Sequence, residues 1–236
     1  MSIKIGQASL GETGGRNQQP GNQSGRELNI SNWYNGRWLG VLRYKSRKKA
    51  ERAAQTCEAA IKNRNIGYDM NGRNTAYEAA RAVGWDVSRI TKPVETDCSA
   101  LMMLCAVAAG CEAVAALYKK QGNSCTTYCM LHDWPETGDF ELLTGSKYLM
   151  TDANLLRGDV LVSEGHTVMA LEDGKNGEEE KEVVEKSKII VDGKEVAVER
   201  ILKDGTNYVK VRDIAAALDL EVSNKGNIAV LNHKET

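Results

Sequence analysis

The stretch VETDCSALMMLCAVAAGC, residues 94–111, sets three cysteines in one apolar run, and its reading decides the architecture. Structural zinc sites pair cysteines two to four residues apart across a tight turn, whereas the gaps here are seven and six. Thr96 and Asp97 are N-cap types, and the run from Ser99 is good helix former until Gly110. On such a helix positions 98 and 105 share a face about 10 Å apart along the axis, too far for a disulfide. Cys98 then falls in the first turn, where unpaired N–H groups and the helix dipole favour a thiolate, and it is the candidate reactive thiol. Cys105 and Cys111 sit in apolar surroundings and are expected as packing residues.

Outward from this helix, the spacing of Ala50, Ala53, Ala54, Cys57, Ala60 and Ile61 predicts an earlier helix that starts near Ser46. Asn74 is placed to cap a second, TAYEAARAVG, and two shorter helical pieces are expected between Ala113 and Asp133. After Gly138 the period changes to two, and DFELLTG, GDVLVS and HTVMALEDG predict successive strands. Helices first and a small antiparallel sheet after them make an α+β plan. Residues 6–40 are rich in Gly, Asn, Gln and Ser and hold no period, which predicts a long loop, either functional or disordered.

At GKNGEEEKEVVEKSK the composition turns to Glu and Lys, so residues 174–187 are expected to be an acidic linker between a domain at 1–173 and a small βα module at 188–236. In the module, KIIVDGKEVAV reads as a hairpin, NYVKVRDIAAALDLEV as a strand and short helix, and NIAVLN as a last strand.

With 236 residues, 42% hydrophobic, 27% charged and a net charge of −1, the composition is that of a globular chain and argues against phosphate neutralisation on nucleic acid. The basic block RYKSRKKAER reads as a solvated helix face. No apolar run approaches a membrane span and MSIKIGQASLGETGG lacks a secretory layout, so cytosolic synthesis and reduced thiols are expected for the six cysteines. Cys125, Cys129 and His132 have metal-like spacing but no evident fourth ligand.

A nucleophilic thiol needs a base. Of three histidines, His233 lies in the C-terminal tail, His132 lies in a helix, and His166 opens a strand after Gly165, a place that holds a ring over a neighbouring helix end.

Asp97-Cys98-Ser99 opening an apolar helix, followed by Arg157-Gly158-Asp159-Val160 and Gly165-His166-Thr167-Val168, resembles the NlpC-like cell-wall cysteine peptidases of the papain-like superfamily, to which the CHAP amidases also belong. Residues 1–173, including GNQSGRELNISNWYNGRW, are similar to catalytic domains of phage endolysins. The resemblance implies a papain-like helical half and amide hydrolysis in peptidoglycan through a thioester, without metal or cofactor. It implies Cys98 as nucleophile and His166 as base, with Tyr68 near the oxyanion and Asp97 and Ser99 lining the substrate site. Either an endopeptidase or an N-acetylmuramoyl-alanine amidase fits, from a phage lysin or a host or tail enzyme. A third residue should orient the histidine. Glu172 lies about 20 Å along the strand, out of reach, so Glu12 and Gln23 of the polar loop are the candidates. Residues 188–236 resemble the small domain at the N-terminus of some copper amine oxidases, which implies wall binding or homodimer formation and no copper. The alternative from another class is a catalytically idle wall-binding protein.

Overall fold

The helical spacing after Ser46 is realised in the computed structural model, which describes residues 2–11, 14–16, 24, 26–122, 125–176, 185–191, 193–203, 206–226 and 228–233. Ser46 accepts from the Lys49 N–H and opens α1, Arg47–Lys62. Its buried residues include Ala50, Ala53, Ala54, Cys57 and Ala60, small side chains that let a helix lie close to whatever it covers. α2, Thr75–Ala82, follows Asn74, whose side chain makes no cap bond. α3, Cys98–Ala108, starts on Asp97, which accepts from the Ala100 N–H at 2.7 Å. α4 (Glu112–Lys120), α5 (Thr127–His132) and the single turn α6 (Ser146–Leu149) complete the helices of this part of the chain.

The fold class is α+β, but the order of helices before sheet needs correction. Three strands precede α1: β1 (Lys4–Ala8), β2 (Leu28–Asn32) and β3 (Gly40–Tyr44). With β6 (Phe140–Leu143), β7 (Val160–Ser163) and β8 (His166–Ala170) they form a six-stranded sheet in the order β2-β1-β8-β7-β3-β6, antiparallel throughout. β4 (Ile66–Tyr68) and β5 (Val94–Thr96) form a separate parallel pair. Gly6 made β1 look like loop, yet its reason is packing: a Cβ there would stand 2.8 Å from Cys57 Sγ, so glycine admits α1 against the strand. The sheet is covered on both faces. Leu42, Tyr44, Val160, Val162 and Met169 join the helical core, and Ile5, Val41, Leu161, Val168 and Ala170 pack with Ile3, Trp38 and Leu155.

The Arg157-Gly158-Asp159-Val160 motif is a latch between sheet and α1. Asp159 is fully buried, takes Arg43 Nη2 at 2.6 Å and accepts from the Leu156 N–H at 2.8 Å. Arg157 pairs with Glu51 and Glu58 of α1. Gly158 has φ +93°, and a Cβ on it would meet the Ala50 carbonyl oxygen at 2.7 Å. Arg43→Leu should therefore cost about 3 kcal/mol by leaving a buried carboxyl without its ion, lowering the thermal midpoint by roughly 10 °C. Arg43→Leu with Asp159→Leu should recover much of the loss in the same melting experiment.

Residues 179–236 form a second compact unit, distinct from 1–178. β9 (Glu185–Val191), β10 (Lys194–Lys203) and β11 (Thr206–Val209) make one sheet in the order β11-β10-β9. α7 (Val211–Ala217) follows, then a hairpin of β12 (Leu220–Lys225) and β13 (Ile228–His233), of which β12 was not expected as a separate strand. Among its described residues only Val198 and Ala215 are buried. Most of the acidic segment, 177–184, lies outside the described residues.

Candidate active site

The parallel pairing of Tyr68 with Thr96 sets the end of β4 beside the start of α3. Cys98 is the first residue of that helix, 7% exposed, and its thiol donates to the Gly165 carbonyl at 4.0 Å. Asp97 caps the helix and pairs with Arg73 Nη1 at 3.0 Å. The Ser99 hydroxyl lies 3.0 Å from Arg73 Nη2 and 3.0 Å from the Cys125 carbonyl. The polar atoms of Asp97 and Ser99 thus hold the helix start in place. Burial pushes the Cys98 thiol up to about 11, with the Asp97 charge adding and the Thr167 and Ser99 N–H groups and Arg73 opposing. The helix-start effect expected to favour the thiolate is outweighed by desolvation, so the resting group is the neutral thiol.

His166 opens β8 after Gly165, and burial lowers its pKa, which leaves a neutral imidazole as the resting base. Its Nε2 lies 3.0 Å from Gln7 Oε1. Gln7 is 8% exposed and comes from β1, the strand that pairs with β8 through Ile5↔Ala170 and Gly6↔Met169. Its amide orientation follows from its other partners. The nitrogen donates to Asn29 Oδ1 and Ser31 Oγ, each at 3.2 Å, while Oε1 receives the Tyr34 hydroxyl at 3.1 Å. Asn29 in turn donates to the Arg26 carbonyl at 3.3 Å, an acceptor only, which fixes the oxygen of Asn29 toward Gln7. An oxygen facing the ring places the hydrogen on Nε2 and leaves Nδ1 as the basic nitrogen. Gln7 is the ring partner that the sequence did not single out. Glu12 and Gln23 lie outside the described residues, and Glu172 accepts from the Lys4 N–H at 2.9 Å.

His166, Gln7 and Tyr34 line a cavity of about 430 Å³, and Cys98, Asp97, Ser99 and Thr127 line an adjoining one of about 170 Å³. Arg16, Tyr68 and Gly165 belong to both walls. Cys98, His166, Tyr68, Asp97 and Ser99 are therefore brought into one cleft. No hydrogen bond joins the sulfur to the imidazole among the described contacts; the contact runs from the thiol to the residue before the histidine. Burial, then the Cys98 and Asp97 charges, hold the Tyr68 phenol at about 12, a protonated donor at neutral pH.

The other sulfurs lie outside this cleft or serve packing. Cys105 and Cys111 are fully buried, and all six cysteines are free thiols. Cys129 donates to Gln121 Oε1 at 2.8 Å, and the His132 ring lies tilted against Tyr128 with centroids 4.2 Å apart. Among the described residues no group of three or more His, Cys, Asp or Glu is disposed to hold a metal, and no helix is long and apolar enough to cross a membrane. A family model described as an endolysin-like domain matches residues 5–177. None of the curated proteins and none of the solved structures matches the chain.

Proposed function

The chain belongs to the endolysin-like domain family, a phage type of cell-wall hydrolase, and from that premise we propose that it opens an amide bond of peptidoglycan with Cys98 as nucleophile and His166 as base, in the manner of the NlpC-like and CHAP enzymes. The observation that carries this reading is a neutral imidazole, fixed through Gln7 by Asn29, Ser31 and Tyr34, in the same cleft as a thiol at a helix start.

In this mechanism a substrate carbonyl enters over Cys98 and replaces the long thiol contact to Gly165. His166 Nδ1 takes the thiol proton as sulfur attacks the carbonyl carbon, and the imidazolium keeps its Nε2–H on Gln7. The N–H groups at the start of α3 and the Tyr68 phenol face the developing oxyanion. Collapse expels the amine, which takes the proton from Nδ1 and leaves a thioester. Water, deprotonated by the same nitrogen, attacks the thioester, releasing the acid and restoring the thiol. Asp97 and Ser99 act here as positioning residues for the nucleophile.

Purified cell wall incubated with the protein and read by mass spectrometry tests the reading. New amino ends within the stem peptide would identify an endopeptidase, and release of intact stem peptides from muramic acid an amidase. Absence of either cleavage, with wall binding retained, would make the chain an idle binding protein. The scheme uses no metal, so chelator should leave the rate unchanged.

The unit at 179–236 is proposed as an accessory module that binds wall or pairs with a second copy, in a protein made in the host cytoplasm that acts on the wall after release. Tethering raises the local concentration of the catalytic unit at its polymer. A chain ending at residue 176 should keep its rate on soluble wall peptides and lose roughly tenfold on whole walls in a turbidity assay. Equal clearing by both forms would remove the tethering role.

A further inference from the structure

Among the described residues the walls of the joined cleft carry three charged side chains, Arg16, Arg73 and Asp97. Two of them cancel, since Arg73 pairs with Asp97 at 3.0 Å and also lies 3.0 Å from the Ser99 hydroxyl. The imidazole adds no charge at neutral pH. Arg16 is the remaining charge among the described residues, and none of them gives it a carboxylate partner.

Its placement is built. The Arg16 carbonyl accepts from the Met70 N–H at 3.0 Å, which ties its segment to the turn after β4. The chain before it closes on itself through Gly11 N–H to the Gly15 carbonyl at 2.7 Å and Gly14 N–H to the Gly11 carbonyl at 2.9 Å. Arg16 and Tyr68 stand together in the walls of both cavities. Because Arg16 stands in the wall of both cavities, a peptide that reaches from His166 to Cys98 passes it.

A guanidinium matches a carboxylate in shape, with two parallel N–H donors that a single bidentate pair can use. A substrate with an anion at this point gains a partner, and one with an amide there does not. We propose that Arg16 selects peptides bearing a free carboxylate close to the scissile amide. This inference rests on the hydrolase reading above and names the substrate class of that site. The carboxylate could stand inside the chain, beside a residue joined through its side chain, or at the chain's C-terminus.

The test reads binding apart from turnover. Full-length Cys98→Ala protein is titrated calorimetrically with three forms of one soluble wall peptide: unmodified, with the in-chain carboxylate amidated, and with the C-terminal carboxylate amidated. One of the two amidations should weaken binding about tenfold, which also identifies the source of the anion. Adding Arg16→Gln should erase the difference between the forms, and Arg16→Lys should restore part of it. High salt should shrink the preference in the parent background. Arg16 is an exposed side chain, so the variants are expected to fold, which far-ultraviolet circular dichroism checks. Equal binding of the three forms, or a preference that survives in Arg16→Gln, would overturn the inference. Hydrolysis by the unmodified chain is followed in parallel. Turnover without carboxylate preference defeats Arg16 alone, whereas carboxylate-selective binding without turnover supports Arg16 and defeats the hydrolase reading.

Discussion

Cys98→Ala is expected to lower wall hydrolysis by about 10⁴-fold or more, because the covalent step has no other route in a site that holds no second nucleophile in the proposed mechanism. The fold should hold. Cys98 is a small side chain at a helix start whose cap is Asp97, so losing the sulfur costs about 1 kcal/mol of packing and removes no cap bond. Cys105→Ala reverses the pattern: that side chain is fully buried in the core and its truncation should lower stability while leaving turnover unchanged. Turbidity clearing and thermal melting on the same preparations separate the two. A Cys98→Ala protein that clears walls at the parental rate would refute the nucleophile, and an unmodified chain that binds wall but never clears it would establish the idle-binder alternative.

The pH dependence follows from the same pair. The His166 pKa is lowered by burial, so its basic form persists to more acidic pH than an ordinary imidazole's. Turnover should fall on the acid side only below the usual value near 6.5, as protonation of Nδ1 removes the acceptor for the thiol proton. On the alkaline side the thiol titrates near 11, so alkylation of Cys98 by iodoacetamide should be slow at neutral pH and accelerate steadily as pH rises.

What the sequence made legible was whatever depends on local period and capping. α1 shows its alanine face and Ser46 cap, and α3 shows Asp97 ahead of an apolar run, so the place of Cys98 at a helix start was legible from its flank. The place of His166 at the start of a strand was legible from the glycine turn before an alternating run. β1 was hidden because two of its five residues serve contacts made far away: Gly6 leaves room for Cys57 of α1, and Gln7 is buried for a ring more than 150 positions later. The alternation of Ile3 and Ile5 continues to Gln7, and a buried amide on that period was the available signal. The thiol pKa was illegible for a related reason. A cap carboxylate and near-complete burial act against the helix start, and burial is a property of the assembled fold.

Gln7 supplies the second large expectation. If its oxygen holds the Nε2–H, Gln7→Ala should lower kcat by about 10² through loss of ring orientation and tautomer, with KM little changed. Cys98 should still react with an alkylating reagent. Part of the cost will be structural, since Asn29, Ser31 and Tyr34 lose a buried partner, worth about 1–3 kcal/mol of stability, and rates must be compared well below the melting range. Gln7→Glu separates orientation from simple damage. A carboxylate facing the ring keeps an acceptor on Nε2 and stabilises the imidazolium, so the histidine pKa rises and the acid limb of the rate profile moves toward neutral pH. Activity at neutral and higher pH should then survive better than in Gln7→Ala, while activity at mildly acidic pH should be lost sooner than in the parent. Gln7→Asn, one methylene shorter, should resemble the alanine variant. A merely structural glutamine would lower all three rates in step with stability and leave the acid limb where it was. Should that be the outcome, the orienting group lies in the polar segment that holds Glu12 and Gln23, and Gln7 serves only to pack β1 against β8.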